Sequence, residues 1–266
     1  MKKLLIIGKR GFIGEHLYKY LKKFYNVKQI SFQNLKKVKN KLNNFSFIIN
    51  TSIQKKYIYK KYNEKFDNDF EISKYLNDGK SIYCFISTRK VYPTRGNLKE
   101  NSKLSPSSNY SKNKLITEKK LYKKLGHKLL ILRVSNIIGD KRTVKKIHKT
   151  FIDIFEQNIK KGIIFNNSKI FKDFLSIDKF CQIIRGIIQK NLTGTYNVSI
   201  GQKVYLNDLI SWLNKFNKEK TIQQKNSSKN QSFFLNNKKL MSKINVKNSL
   251  DELKKYCYKY SKKRFS

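Results

Sequence analysis

Directly behind an apolar run, residues 4–7, the chain sets glycines at positions 8, 11 and 14, and an amphipathic stretch follows at once. A strand, a glycine turn and a helix in that order make a βα unit whose loop can approach a phosphate closely. Gly8 suits the tight turn, Gly11 the close approach, and Gly14 the contact between helix and strand. The helix start offers amides and a partial positive charge to an anion. The loop also carries a cation, Arg10.

The rest of the first half repeats the alternation. Apolar, β-branched runs at 3–7, 27–32, 45–50, 81–87 and 128–134 predict strands. Helical spacing of apolar residues predicts helices over 12–24, 65–76 and 107–125. Strands and helices alternating through short connections predict an α/β fold with a doubly wound parallel sheet. Beyond residue 140 the order loosens. Helices are expected over 144–162, within 171–189, over 206–216, and over 249–263 with Ser249 as its cap. Residues 194–200 read as a strand, and the polar stretch 218–232 as a loop. The expected division is a cofactor-binding domain over 1–160 and a small C-terminal lobe over 161–266, interleaved with the sheet.

Composition narrows the function classes. The chain has 266 residues, with 60 Lys and Arg against 17 Asp and Glu, a formal net charge of +43. Lys and Asn are scattered through every segment, loops included, so the charge reads as compositional drift rather than a nucleic-acid surface. No specific nucleic-acid partner is expected, although a positive surface favours an anionic substrate. No apolar run approaches the roughly 20 residues of a membrane span, and residues 4–7 are too short for a signal peptide's apolar region. Three cysteines, Cys84, Cys181 and Cys257, show no metal-like spacing. A cytoplasmic protein with no bound metal is expected.

A second constellation lies far downstream. Tyr110 and Lys114 are four apart on an expected helix and share a face. A phenol is a poor acid or base at neutral pH. A neighbouring ammonium favours its ionised form, so Lys114 would make Tyr110 a usable proton shuttle. Thr88 ends the fourth expected strand, and its hydroxyl would bond the same substrate oxygen; strand carboxyl ends are where ligands bind in such sheets. The same spacing also occurs at Tyr18/Lys22, Tyr57/Lys61 and Tyr258/Lys262. Only Tyr110/Lys114 heads a helix that follows a strand ending in Ser-Thr. Both prolines of the chain, Pro93 and Pro106, stiffen the segment between Thr88 and Tyr110.

Taken together, these segments resemble the extended short-chain dehydrogenase/reductases, the NAD-dependent epimerase/dehydratase family. "IIGKRGFIGEHL" resembles its cofactor loop and "FIINTS" the third-strand segment beside the cofactor. "FDNDFEISKYL" resembles the helix whose asparagine supports the site, and "ISTRKVYP" and "YSKNK" its catalytic segments. "LRVSNIIG", "FKDFLSIDKF" and "GTYNVSIG" follow in the family's order. The resemblance implies a Rossmann-like fold. It implies cofactor contacts from Gly8, Arg10, Gly11, Phe12, Ile13, Gly14, Ser31, Thr51, Ser52, Asn68, Tyr110 and Lys114. Thr88, Tyr110 and Lys114 would be catalytic, and Thr88, Asn136 and Lys172 would meet the substrate.

The expected activity is NAD(P)-dependent epimerisation or 4-keto reduction of a nucleotide-sugar, by a homodimer. The alternative is a non-catalytic NAD(P)-binding or nucleic-acid-binding relative. The family's sugar dehydratases carry an acid pair after the catalytic threonine, where this chain has Arg89 and Lys90, which argues against 4,6-dehydration. Lys172 replaces an arginine, keeping the charge but losing the fork. Cofactor choice turns on the ribose 2′ position, where an acid at the end of the second strand selects NAD. This chain offers Ser31 there and no acid. "GKRGFIG" also resembles the loop of GDP-fucose synthase-like reductases, in which the arginine meets a 2′-phosphate. NADP is therefore the expected preference, through Arg10, with Lys36 and Lys37 read as solvated surface.

Overall fold

The computed structural model describes residues 1–76, 81–139, 151–166, 169–218, 223–226 and 232–265. The strands in chain order are β1 (Lys3–Ile7), β2 (Asn26–Ile30), β3 (Phe47–Asn50), β4 (Ile82–Thr88), β5 (Gly96–Leu98), β6 (Leu129–Val134), β7 (Asn136–Ile138), β8 (Ile163–Asn166), β9 (Phe171–Lys172), β10 (Phe174–Ser176), β11 (Gly194–Val198), β12 (Val204–Tyr205), β13 (Gln223–Asn226) and β14 (Phe233–Leu235). The helices are α1 (Phe12–Leu21), α2 (Lys55–Tyr59), α3 (Asn68–Ser73), α4 (Asn109–Leu125), α5 (Phe151–Ile159), α6 (Ile177–Gln189), α7 (Leu206–Leu213), α8 (Lys238–Met241) and α9 (Leu250–Phe265).

Six strands form one parallel sheet in the order β11-β6-β4-β3-β1-β2. Both faces are covered, so the strands read as continuous apolar runs. Side-chain alternation sorts them: Leu4, Ile6, Phe47, Ile49, Leu130 and Leu132 enter the layer of α1 and α6. Leu5, Ile7, Ile48, Leu129 and Ile131 enter the opposite layer, with Ile72 of α3 and Leu121 of α4. The order reverses between β1 and β3, and in such sheets ligands bind beyond the carboxyl ends of the strands at that point. The glycine loop stands at one side of this crevice and Thr51 and Ser52 at the other.

A third cluster joins α5, α7 and α9 to Ile138 of β7 and Phe174 of β10. Asp173 ties this region to the sheet. Its carboxylate accepts backbone N–H bonds from Ile200 (3.0 Å), Gly201 (3.2 Å) and Leu235 (3.2 Å), and its carbonyl accepts from Ser135 and Asn136. Helix α9 begins at Ser249, whose hydroxyl accepts from the Glu252 amide while the Glu252 carboxylate accepts from the Ser249 amide.

Several expectations shift. The helix expected over 65–76 is divided at Asp67, which accepts from the Asp69 and Phe70 amides and so caps α3. The second strand ends at Ile30, because 3-10 turns at Phe32–Lys37 and Lys39–Asn44 follow. Within 218–232, expected as loop, Gln223–Asn226 pairs in parallel with β8. Part of the helix expected over 144–162 lies outside the described residues; its described part is α5, and the chain turns at Gly162 with φ +65°. All three cysteines are buried free thiols.

Candidate active site

The glycine loop is fixed by the strand on its far side. Gly8 has φ +127°, and a Cβ there would meet Thr51 Oγ1 at 2.1 Å; one on Gly14 would meet the Gly8 carbonyl oxygen at 2.1 Å. Both positions therefore exclude a side chain. Gly11 differs: its nearest neighbour would be the Thr51 carbonyl at 3.8 Å, so nothing within the protein demands glycine there. Gly11 is also the α1 N-cap and supplies no side-chain cap. The first-turn amides of Phe12, Ile13 and Gly14 thus face an open cradle, which fits a pyrophosphate. Arg10 is exposed in the loop, and Phe12 and Ile13 are half-buried.

Around that cradle, several expected cofactor residues are engaged with one another. Thr51 Oγ1 donates to the Ile7 carbonyl at 3.1 Å. Ser52 Oγ donates to Asn50 Oδ1 at 2.6 Å and accepts from Asn68 Nδ2 at 2.9 Å. Asn68 Oδ1 accepts from Gln54. Gln29, which sequence reasoning passed over, donates to the Gly14 carbonyl at 3.0 Å and stands under the loop. Ser31 is half-buried one residue beyond β2.

The second group gathers where β4 ends against α4. Helix α4 starts with a reciprocal cap between Ser108 and Ser111, which sets Tyr110 in its first turn. Lys114 follows one turn later and is buried; its ammonium donates to the Ile86 carbonyl of β4 at 2.8 Å and lies 4.4 Å from the Phe85 ring centre. Thr88 is buried at the strand's end, and its hydroxyl accepts from the Lys90 amide at 3.2 Å. Thr88 and Lys114 thus share the carboxyl end of β4, and the Tyr110 ring lies 5.8 Å from the Lys90 ammonium in the turn that follows. Asn136 and Lys172, both half-buried, lie farther along, and the Asn136 amide donates to the Asp173 carbonyl at 2.9 Å.

Beneath Lys114 lies a carboxylate that no sequence pattern marked. Asp69 Oδ2 is 3.9 Å from the ammonium, while Oδ1 accepts from Asn50 Nδ2 at 2.8 Å and the Tyr83 hydroxyl at 2.7 Å. Burial pushes the Asp69 carboxyl up to about 6, Lys114 pulls it down, and Asp67 pushes it up again. The folded state therefore holds this proton more tightly than the unfolded chain, and ionisation costs stability as pH rises from about 4 to about 6. Asp69→Asn cannot ionise. Its stability relative to wild type is expected to rise across that interval and level off above it. Urea unfolding of both proteins at about pH 4 and about pH 7 checks this; a difference that stays constant or falls would contradict it.

The model of the GDP-mannose 4,6-dehydratase family matches residues 70–264. The chain is 27% identical over 256 residues to dTDP-D-glucose 4,6-dehydratase of Dictyostelium discoideum; the match covers 74% of this chain and 58% of that protein. Among solved structures it is similar to UDP-N-acetylglucosamine 4-epimerase from Methanobrevibacter ruminantium, in complex with UDP-N-acetylmuramic acid. The TM-score is 0.77 at 18% identity, over 98% of this chain and 97% of that one. It is also similar to dTDP-glucose 4,6-dehydratase from Bacillus anthracis in complex with NAD (TM-score 0.75, 16% identity, 99% and 97% covered). RMD from Pseudomonas aeruginosa, complexed with NADPH, matches with TM-score 0.76 at 17% identity over 98% of each chain. No described helix is long and apolar enough to cross a membrane.

Proposed function

Since the chain belongs to the GDP-mannose 4,6-dehydratase family, within the extended short-chain dehydrogenase/reductases, we propose that it is an NAD(P)-dependent enzyme acting on a nucleotide-sugar, as an epimerase or a 4-keto-sugar reductase. The observation that carries this reading is the buried Lys114 ammonium bonded at the end of β4 beside Thr88, with Tyr110 one turn before Lys114 on α4.

The glycine loop and the start of α1 would hold the cofactor's pyrophosphate, with Ser31, Thr51, Ser52 and Asn68 along the crevice. The nicotinamide would supply reversible hydride transfer at a sugar carbon. Tyr110 would pass a proton to or from the sugar oxygen. Lys114, one turn on along α4, would supply positive charge, and its bond to the Ile86 carbonyl fixes its Nζ. Thr88 would orient the same oxygen, and Asn136 and Lys172 would meet the nucleotide's phosphates. Dehydration needs an acid and a base at the far side of the sugar; Arg89 and Lys90 stand where the family's dehydratases have acids, which favours epimerisation or reduction. The rival reading, a non-catalytic relative, would tolerate loss of Thr88, Tyr110 or Lys114, and all three are present. The same reading takes the protein as a cytoplasmic homodimer.

Arg10 would fork onto a 2′-phosphate and favour NADP(H). Arg10→Ala is expected to weaken NADP(H) binding about tenfold or more while changing NAD(H) affinity little. Titration of both cofactors into both proteins checks this; equal weakening, or a wild-type preference for NAD(H), would defeat it. The function itself is tested by analysing what purified protein carries. Released NAD(P) together with nucleotide-sugar binding supports the enzyme, whereas retention on heparin or RNA alone supports the rival.

A further inference from the structure

Three cations crowd the mouth of this site. Arg89 and Lys90 form the 3-10 turn directly after Thr88, and the Thr88 hydroxyl pins that turn through the Lys90 amide. Lys90 is exposed, and its ammonium lies 5.8 Å from the centre of the Tyr110 ring. Arg89 is 9% exposed, stacks 3.7 Å from the centre of the Phe233 ring, and keeps its Nε buried with no hydrogen-bond partner. Lys172 arrives on β9, whose Phe171 packs beside Phe234 of the same strand that carries Phe233.

Among the described residues, none of the three joins an ion pair. The charges acting on Lys90 and Lys172 come from within the group. Burial lowers Arg89 to about 10. Desolvation and then Arg89 lower Lys90; desolvation, Arg89 and Lys90 lower Lys172. Like charges held close together and partly desolvated raise the free energy unless an anion joins them. In a chain of this composition a stray surface lysine needs no explanation. A nine-tenths buried guanidinium with an unmet donor, close enough to two further cations to act on both, does.

We propose that the reacting sugar carries a carboxylate, held by Lys90 with Arg89 behind it, so that the substrates are nucleotide-linked sugar acids. This rests on the nucleotide-sugar reading above and goes further by naming the sugar's class. The position decides between two anions. On the reading above, Lys172 and Asn136 would meet the diphosphate. Lys90 is two residues from Thr88 and against Tyr110, so an anion at Lys90 sits on the sugar being turned over. An acid pair at these positions would repel such a substrate; the cations remove that barrier and reverse it.

The test uses two pairs of probes that differ only in oxidation at C6: UDP-glucose with UDP-glucuronate, and GDP-mannose with GDP-mannuronate. Affinities are measured by calorimetry at one fixed salt concentration, with free UDP and GDP alongside. The acid member of the bound pair is expected to bind about tenfold tighter or more, the worth of one charge-assisted hydrogen bond. Lys90→Met should erase that preference and leave free nucleotide affinity unchanged; Lys90→Arg should restore it. Lys90 is exposed, so the variants should fold, and their thermal midpoints verify it. Equal binding of acid and neutral sugars overturns the proposal while leaving the nucleotide-sugar reading intact. So does Lys90→Met weakening free nucleotide and both sugars alike, which would assign the cation to the diphosphate. Failure of all four to bind overturns the proposal and the reading beneath it.

Discussion

Tyr110→Phe is expected to lower turnover by about 100-fold or more while cofactor affinity stays nearly unchanged. The substitution keeps the ring and removes only the hydroxyl. The ring sits in the first turn of α4, above a helix start capped by Ser108 and Ser111, so the backbone has no reason to move. What is lost is the group that would carry a proton to the sugar oxygen, with Lys114 one turn away holding the charge beside it. The split matters more than the size of the loss. Steady-state turnover and cofactor binding measured on one preparation separate chemistry from binding, and wild-type turnover would remove Tyr110 from the reaction.

The second large effect concerns the fold behind the site. Arg133 of β6 forks onto Glu118 of α4, with Nη2 at 2.7 Å from Oε2 and Nε at 3.2 Å from both oxygens. Its other terminal nitrogen donates to the Tyr92 hydroxyl and the Glu100 carbonyl, each at 2.9 Å, and Tyr92 donates onward to Asn197 of β11. The paired side chains are 8% and 4% exposed. Removing one partner strands a buried charge, which costs about 3–5 kcal/mol. Glu118→Ala is therefore expected to destabilise by that amount in urea unfolding. The double variant Glu118→Leu/Arg133→Met, which leaves no charge behind, should be less destabilised than Glu118→Ala. A cost below about 1 kcal/mol for the single variant would mean the pair is solvated in solution.

Much of this was legible in the residue order. The sheet strands announce themselves because a parallel strand covered on both faces must be apolar throughout, as in Leu4–Ile7 and Leu129–Val134. The glycines were legible because backbone geometry forbids substitutes: Gly8 needs its positive φ, and Gly14 has no room for a Cβ. Tyr110 and Lys114 were legible because helical spacing is local. What escaped depends on partners distant in sequence. Asp69 reads as one acid in a helix until Asn50, Tyr83 and Lys114 converge on it. Asp67 interrupts its helix because capping depends on which amides are free, which apolar periodicity does not report. Strand β13 escaped because a polar stretch such as Gln223–Asn226 carries no apolar signal, and only its pairing with β8 makes it a strand. Arg89 was legible as a cation after Thr88, but its burial against Phe233 belongs to the tertiary structure.

On the proposed function, this site transfers hydride at a sugar carbon of a nucleotide-sugar, with Tyr110 moving the proton. The most direct measurement incubates the protein with NAD(P)(H) and a panel of UDP-, GDP- and dTDP-sugars, neutral and acidic. It follows absorbance of the reduced nicotinamide and identifies the sugar product in each reaction. At least one nucleotide-sugar is expected to be converted, either to an epimer with no net change in the cofactor or to a reduced sugar with stoichiometric oxidation of it. In Tyr110→Phe the same conversion is expected to be about 100-fold slower or more. A 4,6-dehydrated product would contradict the assignment made from Arg89 and Lys90, and conversion at the wild-type rate in Tyr110→Phe would contradict the site itself.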